Sequence, residues 1–330
     1  MQLKSSLFLP LLAAVSLATV LAEVPSATWA STATLSLACG VVALVFMAMA
    51  ALLGSRWGWL EDVFGGLDRV YEVHKWLGVW ALVLASVHLV FKAGAPEWEV
   101  ASILPLPPYW TRLVRQLSYV ALVVIVLLAL NRRIPYGQWR WWHKLSGPLF
   151  VVVVLHWLSF KSPIALGSPA GLWLATCAAL GLAGAVWKLL LYPFLARHAE
   201  YRLTRVEPGV ASVRLELEPV GRGVPFEAGQ FAFLRFLHAG LREPHPFTLA
   251  SAGGAGQPVQ FVIRALGDYT DRLVAEARPG MRAEVYAPFG RFRRPPGGDF
   301  EVWIGGGVGL SPFIAWLHDA SRQDLAKVTL

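Results

Sequence analysis

The sequence predicts two parts of different class: an all-α membrane bundle of six helices over 1–196, then a soluble antiparallel β-barrel over 197–298 that leads into the start of an α/β domain at 299–330. Three observations predict this. Hydrophobic residue types make up 56% of the 330 residues and charged types 15%, with a mean hydropathy of +0.52, whereas soluble domains run at about 45–50% apolar and about 25% charged. Charge is also unevenly spread. Residues 1–196 hold 13 Lys and Arg and 7 Asp and Glu, against 16 and 14 in the shorter remainder. Finally, the hydrophobic period changes after Arg197, from long apolar runs to short alternating ones.

Six apolar segments cover roughly 6–22, 32–53, 70–91, 113–130, 143–160 and 171–192, most of them near the ~20 residues that cross a bilayer as helix. Basic residues assign the sides. Arg56, Arg69 and Lys75 lie around linker 54–75, and Arg132, Arg133, Arg140 and Lys144 around 131–144. These linkers are expected on the cytoplasmic side, which puts the N-terminus and the segment after 192 there too. The Pro-rich linker 92–115, with Lys92, Arg112 and Arg115, is mixed and falls outside. The net charge of +8 is accounted for by topology, so no nucleic-acid partner is expected. The first segment reads as a retained helix or, with Lys4 before an apolar run ending Val20-x-Ala22, as a signal peptide. Cys39 and Cys177 lie inside apolar runs and suggest neither a disulfide framework nor a metal site.

Beyond Arg197, strands are expected at 201–206, 212–217, 230–236, 259–265 and 283–286, with a short helix over 271–277. A strand at 301–304, a glycine-rich turn, a helix from about Pro312 to Ser321 and the beginning of a strand at Lys327–Leu330 follow.

Four histidines lie in the apolar part, where an ionisable side chain is costly and marks function by default. His74 and His88 fall on the third segment, His143 and His156 on the fifth. Separations of 14 and 13 residues correspond to about 21 and 20 Å of helix rise. One imidazole from each segment at each level can hold a planar macrocycle, and haem takes imidazole as axial ligand. Fourteen steps return to within about 40° of the same helix face, but thirteen leave about 140°. A kink at Gly147-Pro148 is expected to reset the phase. Zinc or paired metals fit less well, because no carboxylate or thiolate accompanies these histidines.

A flavin needs a flat wall, a hydroxyl near the ring's polar edge and cations or amides for its pyrophosphate. His245-Pro246-Phe247-Thr248, followed by Ser251, offers Phe247 as wall and Thr248 as hydroxyl. Arg264 offers the cation, and Gly267 to Thr270 the amides of a helix start. Gly305-Gly306-Gly307-Val308-Gly309-Leu310-Ser311-Pro312 follows an apolar strand and opens a helix, the arrangement that lets backbone approach a dinucleotide pyrophosphate.

Taken together, residues 35–330 resemble the ferric reductase and NADPH oxidase superfamily. The histidine pairs match its haem helices in spacing. His245 to Ser251 looks like its flavin motif, Val262-Ile263-Arg264 like its pyrophosphate arginine, and Gly307-x-Gly309-x-x-Pro312 like its nicotinamide-domain entry. The resemblance implies a multi-pass protein of the cell membrane carrying two haem b and FAD, with the FAD domain cytoplasmic. Hydride passes from NAD(P)H to FAD, then single electrons pass to a small-molecule acceptor outside. The family's nucleotide domain extends about a hundred residues beyond the length matched here, so 299–330 is expected to be a truncated version of it. That leaves open a haem and flavin subunit fed by a separate reductase.

Overall fold

The structure is a computed structural model that describes residues 5–131, 133–254, 256–294, 300–319, 325 and 328–329. Lys4, Arg132, Ser321, Lys327, Leu330 and the boundary expected at 298/299 lie outside the described residues. The chain divides into two compact units, Met1–Phe194 and Leu195–Leu330.

The first unit is helical: α1 (Ser5–Glu23), α2 (Thr32–Leu53), α3 (Gly58–Phe64), α4 (Leu67–Val90), α5 (Pro108–Leu130), α6 (Tyr136–His143), α7 (Ser146–Ser159) and α8 (Pro169–Val186). The last continues through a π-helical turn, Trp187–Leu191, into α9 (Tyr192–Leu195). Local chemistry sets the helix starts. The Ser31 and Ser168 hydroxyls accept from Thr34 N–H and Gly171 N–H, both at 3.2 Å, filling donors that a helix N-terminus leaves open. Pro108 and Pro169 occupy first-turn positions, where a missing N–H costs nothing. Helix α2 is the core element, packing mainly against α4 and α8. Gly181 and Gly184 on α8 allow the close approach. A Cβ on either would come within 2.8 Å of the Cα of Ala48 or Leu52 respectively, the small-residue contact by which membrane helices associate.

Among the described residues, five helices are long and apolar enough to cross a membrane: Ser6–Glu23, Thr32–Leu53, Leu67–Val90, Pro108–Leu130 and Pro169–Leu195. The fifth apolar segment differs from its expected form, 143–160 as one helix. It breaks at Lys144-Leu145. Leu145 N–H donates to Trp142 O at 3.0 Å and Gly147 N–H to Lys144 O at 3.3 Å, tight turns that end α6 before α7 begins. Pro148 sits in the first turn of α7, where it needs no N–H partner. The 14 residues of α7 rise about 21 Å, short of a ~30 Å hydrocarbon core.

The second unit is built on β1 (His198–Gly209), β2 (Ser212–Pro219), β3 (Phe231–Phe236), β4 (His245–Thr248), β5 (Val259–Arg264) and β6 (Arg282–Phe289), with α10 (Asp268–Glu276) between the last two. All pairings are antiparallel, in the order β4-β3-β6-β1-β2-β5. The sheet curls until its edges touch at the Leu249–Phe261 bridge, where Ala250 N–H donates to Gln260 O at 2.8 Å. Inside lie Tyr201, Leu203, Leu215, Leu217, Leu234, Phe236 and Phe261, from alternate positions of their strands as a pleat requires. Strand β4 has no counterpart among the expected strands, because Pro246 argues against one. The sheet resolves this by placing β4 at an edge, where a proline leaves no ladder bond unmade. Helix α10 starts three residues before its expected position. Beyond it, β7 (Glu301–Val302) pairs in parallel with β8 (Val328–Thr329), and α11 (Ser311–His318) lies between them in sequence. A parallel pair joined through a helix is the elementary α/β unit.

The Tyr201 hydroxyl, buried in the sheet core, accepts from Val224 N–H at 2.9 Å. Tyr201→Phe leaves that amide unsatisfied, and should destabilise the second unit by about 1–3 kcal/mol. Differential scanning of the full chain in detergent checks this through a lowered transition for that unit only.

Candidate functional site

The four expected histidines form two opposed pairs. The His74 and His143 rings lie 5.8 Å apart, centre to centre, and the His88 and His156 rings 6.4 Å apart. A metal–imidazole bond is about 2 Å, so adding about 1 Å from each nitrogen to its ring centre puts two imidazoles on opposite sides of one metal about 6 Å apart. Both pairs have that separation.

The break in the fifth segment is what makes the second pairing possible. His143 is the last residue of α6 and His156 lies near the end of α7. The turn at Lys144-Leu145, three residues ahead of the expected kink, resets the helix phase, so the mismatch of a continuous helix does not arise.

Helix α2 orients one ring of each pair. His74 Nδ1 lies 2.8 Å from Ala50 O and His88 Nδ1 2.9 Å from Ser36 O. A carbonyl only accepts, so each Nδ1 carries the proton and each Nε2 keeps a lone pair for a metal. Ser36 Oγ braces the His88 ring further, lying 3.2 Å from His88 Nδ1 and donating to His88 O at 3.1 Å and Phe91 O at 2.8 Å. Gly40 makes room for the same imidazole, since a Cβ there would lie 2.8 Å from His88 Nδ1. Sequence reasoning missed Ser36, Gly40 and Ala50. Their one signal was spacing: Ser36 and Ala50 are separated by the same 14 residues as His88 and His74. On the other side of each pair, His143 Nδ1 and His156 Nδ1 are buried without a hydrogen-bond partner. The Trp139 ring stacks on His143 at 5.1 Å and 11°.

In the second unit the expected flavin residues cluster around β4. Phe247 is half-buried and packs against the sheet core, 6.4 Å from the Phe261 ring. His245, on the same face of the strand, stacks on Tyr269 at 3.8 Å and 21°, with Nε2 3.4 Å from Glu243 Oε2. Burial pushes the Tyr269 phenol well above its ordinary pKa. Pro246 and Thr248 point to the opposite face. Arg264 is exposed at the end of β5, beside the α10 start. Two hydroxyls are already engaged: Ser251 Oγ accepts from Gln260 N–H at 3.2 Å, and Thr270 Oγ1 accepts from Leu266 and Gly267 N–H at 2.9 and 3.1 Å. Thr270 therefore shapes the loop before α10. Tyr269 and Glu243 were not singled out from sequence.

In the glycine-rich turn, Gly307 has φ +56°, the left-handed region that favours glycine. Gly305 lies against Leu310 and Phe313, where a Cβ would meet side-chain carbons at 2.8 and 3.0 Å. Gly309 belongs to the tight helical turn Gly307–Leu310. The Ser311 hydroxyl donates to Val308 O at 2.8 Å, and Pro312 stands in the first turn of α11.

Residues 39–159 match the family described as the ferric reductase like transmembrane component. Dual oxidase 2 of Sus scrofa is 25% identical over 302 residues, 76% of this chain and 18% of that protein. Probable cell surface ferric reductase kap2 of Aspergillus oryzae is 23% identical over 302 residues, 84% of this chain and 39% of that protein. Methane monooxygenase component C of Methylosinus trichosporium is 30% identical over 132 residues, covering 39% of this chain and 35% of that protein. The chain thus spans well under half the length of these relatives. Among solved structures, the ferredoxin reductase in carbazole 1,9a-dioxygenase aligns at 21% identity and a TM-score of 0.35, over 39% of this chain and 41% of that one. Residues 39–159 are thus similar to a transmembrane component of ferric reductases, and the chain is similar over most of its length to an oxidase and to a ferric reductase.

Proposed function

We propose that the chain is a transmembrane oxidoreductase that passes electrons from cytoplasmic NAD(P)H, through FAD and two b-type haems, to an external acceptor, dioxygen or a ferric chelate. The observation that carries this reading is the pair of opposed imidazole sites, His74 with His143 and His88 with His156, at ligand separation. Among the described residues no three His, Cys, Asp or Glu side chains converge as a metal site. Each imidazole pair thus offers two nitrogens, a donor set that a haem would complete. When bound, haem iron takes one electron at a time and flavin accepts a hydride, so the flavin joins two-electron to one-electron chemistry.

The protein's own part is to bind and align. Ala50 and Ser36 carbonyls fix the tautomers and ring orientations of His74 and His88, and Gly40 keeps room for the His88 ring. The two sites are about 21 Å apart along α4. Phe247 and Thr248 offer wall and hydroxyl to a flavin, Arg264 offers charge to its pyrophosphate, and Gly305, Gly307, Gly309, Ser311 and Pro312 form the nicotinamide nucleotide's turn. The basic linkers support a cytoplasmic side for the second unit. The His74–His143 site is then inner and the His88–His156 site outer.

Pyridine haemochromogen analysis of the intact chain should give two haems. His88→Ala or His156→Ala should remove the outer one, and His74→Ala or His143→Ala the inner. Gly40→Val should selectively lose or perturb the outer one by displacing His88. One haem or none in the wild type would sink the pairing.

Thr248→Ala and Arg264→Ala should each weaken FAD binding about tenfold, the loss of roughly one charge-assisted or neutral hydrogen bond, with the haem spectrum unchanged. Flavin fluorescence titration reads this, and wild-type affinity in both variants would refute the flavin assignment.

A cysteine introduced at Val210, 98% exposed in the β1–β2 turn, should react with an impermeant maleimide only from the cytoplasmic side of sealed vesicles. Cys39 and Cys177 are buried and provide the silent background.

A further inference from the structure

The two rings of the His74–His143 pair are held in different ways. His74 is oriented by its hydrogen bond to Ala50 O at 2.8 Å. His143 has no such bond: among the described residues its Nδ1 is buried without a hydrogen-bond partner. The torsion that turns an imidazole about its Cβ–Cγ bond has only broad preferences, so burial alone leaves the plane of such a ring poorly defined. What meets the face of His143 is Trp139. The two rings lie 5.1 Å apart, centre to centre, and 11° from parallel, the offset stacking that aromatic quadrupoles favour. Four residues apart on α6, they share one helix face. Tyr136, three residues before Trp139, stacks on the same tryptophan at 5.5 Å and 25°. Three stacked rings thus occupy one face of α6, and His143 is the last of them in sequence.

The consequence is an angle. The planes of His74 and His143 stand 76° apart. A parallel stack resists tilting of a ring but lets it slide within its plane, so His143 can still adjust its approach to a metal while keeping that angle. The other pair has no equivalent device on its second ring. His156 meets Phe160 at 5.3 Å but tilted by 52°, a contact that does not define a plane.

We propose that Trp139 is a positioning residue for the haem held by His74 and His143: its ring fixes the plane of the His143 imidazole across that of His74, so that the iron receives crossed axial rings. The inference rests on the bis-haem reading. An axial imidazole separates the two π-symmetry d orbitals of the iron according to the direction of its own plane. Two parallel rings add their effects, whereas two crossed rings cancel them. The near-degenerate orbitals left by cancellation give low-spin ferric haem a strongly anisotropic paramagnetic resonance, with a large highest g-value. The plane that Trp139 imposes is therefore readable at the iron.

The experiment uses the full chain, purified and assayed first for haem. Fewer than two haems in the wild type would remove the bis-haem reading itself. With two haems present, low-temperature electron paramagnetic resonance of the oxidised protein compares wild type, Trp139→Leu, Trp139→Phe and Trp141→Leu. His88→Ala identifies the inner signal by removing the outer haem. The wild-type inner signal should be of the crossed-ring type. Trp139→Leu should keep two haems, yet broaden the inner signal and lower its highest g-value toward the parallel-ring type, with the outer signal unmoved. Trp139→Phe retains a flat face and should restore the wild-type signal. Trp141 is 67% exposed and lies about 160° around α6 from His143, so Trp141→Leu should change nothing. A parallel-ring inner signal in the wild type, an unchanged signal in Trp139→Leu, or an equal change in Trp141→Leu overturns the proposal while leaving two haems in place. Should Trp139→Leu lose the inner haem, Trp139→Met, which fills space without a flat face, replaces it and is read in the same way. Should that variant lose it too, a wild-type signal in Trp139→Phe supports the proposal, and loss of the inner haem from Trp139→Phe as well overturns it.

Discussion

The contact on which the first unit depends is the antiparallel packing of α2 against α4. It brings two backbone carbonyls of α2, Ser36 O and Ala50 O, onto the Nδ1 atoms of His88 and His74. A carbonyl inside a helix already serves its own ladder, but it has a second lone pair. Using that lone pair on an imidazole N–H costs the helix no hydrogen bond and leaves the imidazole one free nitrogen. Fourteen residues separate the two contacts on both helices, so a single register satisfies both. A slip of one residue would break both together, which makes the α2–α4 register a precondition for either histidine site.

That constraint explains the composition of the helices around it. Helix α2 is held on both sides, so a small residue stands on one partner or the other wherever a neighbour must come close. Gly40 faces the His88 ring, while Ala48 and Leu52 face Gly181 and Gly184 of α8. Helices α6 and α7, by contrast, touch α2 little and supply the other two histidines. No carbonyl fixes those rings: His143 rests on Trp139, and both Nδ1 atoms remain unpaired. Each site therefore combines one rigidly oriented imidazole with one that has freedom to adapt.

The coarse organisation was legible in the sequence because burial in lipid and burial in a curled sheet leave different periods. Apolar runs marked the helices, and alternation marked β2 and β5. The histidine pairs were legible because an ionisable side chain stands out in an apolar run. What stayed hidden were features whose signal is silent in composition. Ser36 and Gly40 are ordinary residues for a membrane helix, and their role appears only once α4 lies alongside. Pro246 obscured β4 because a proline's cost depends on whether its strand is interior or at an edge, which is a property of the sheet. The break at Lys144-Leu145 was misplaced to Gly147-Pro148 for a related reason. Proline disrupts a helix interior, yet at the first turn it helps start one, so it marks where α7 begins and not where α6 bends.

The hydrogen bonding of the first unit gives an independent view of where something else must bind. A membrane interior offers no water, so each polar group has to be satisfied within the protein. Most are: the Ser16 hydroxyl donates to Leu12 O, Thr34 to Thr28 O, and Ser118 to Val114 O, all at 2.7–2.8 Å. The unpartnered buried atoms are not scattered through the bundle. Among the described residues they belong to His143, His156, Trp157 and Trp187, which are two members of the histidine pairs, the neighbour of one, and the first residue of the π-helical turn. If the histidines were merely core residues, their ring nitrogens would be expected to share the economy of the serines and threonines, because each unmade bond costs about 1–3 kcal/mol. Among the described residues, this concentration makes the two histidine pairs the part of the bundle whose polar groups the chain itself leaves least matched.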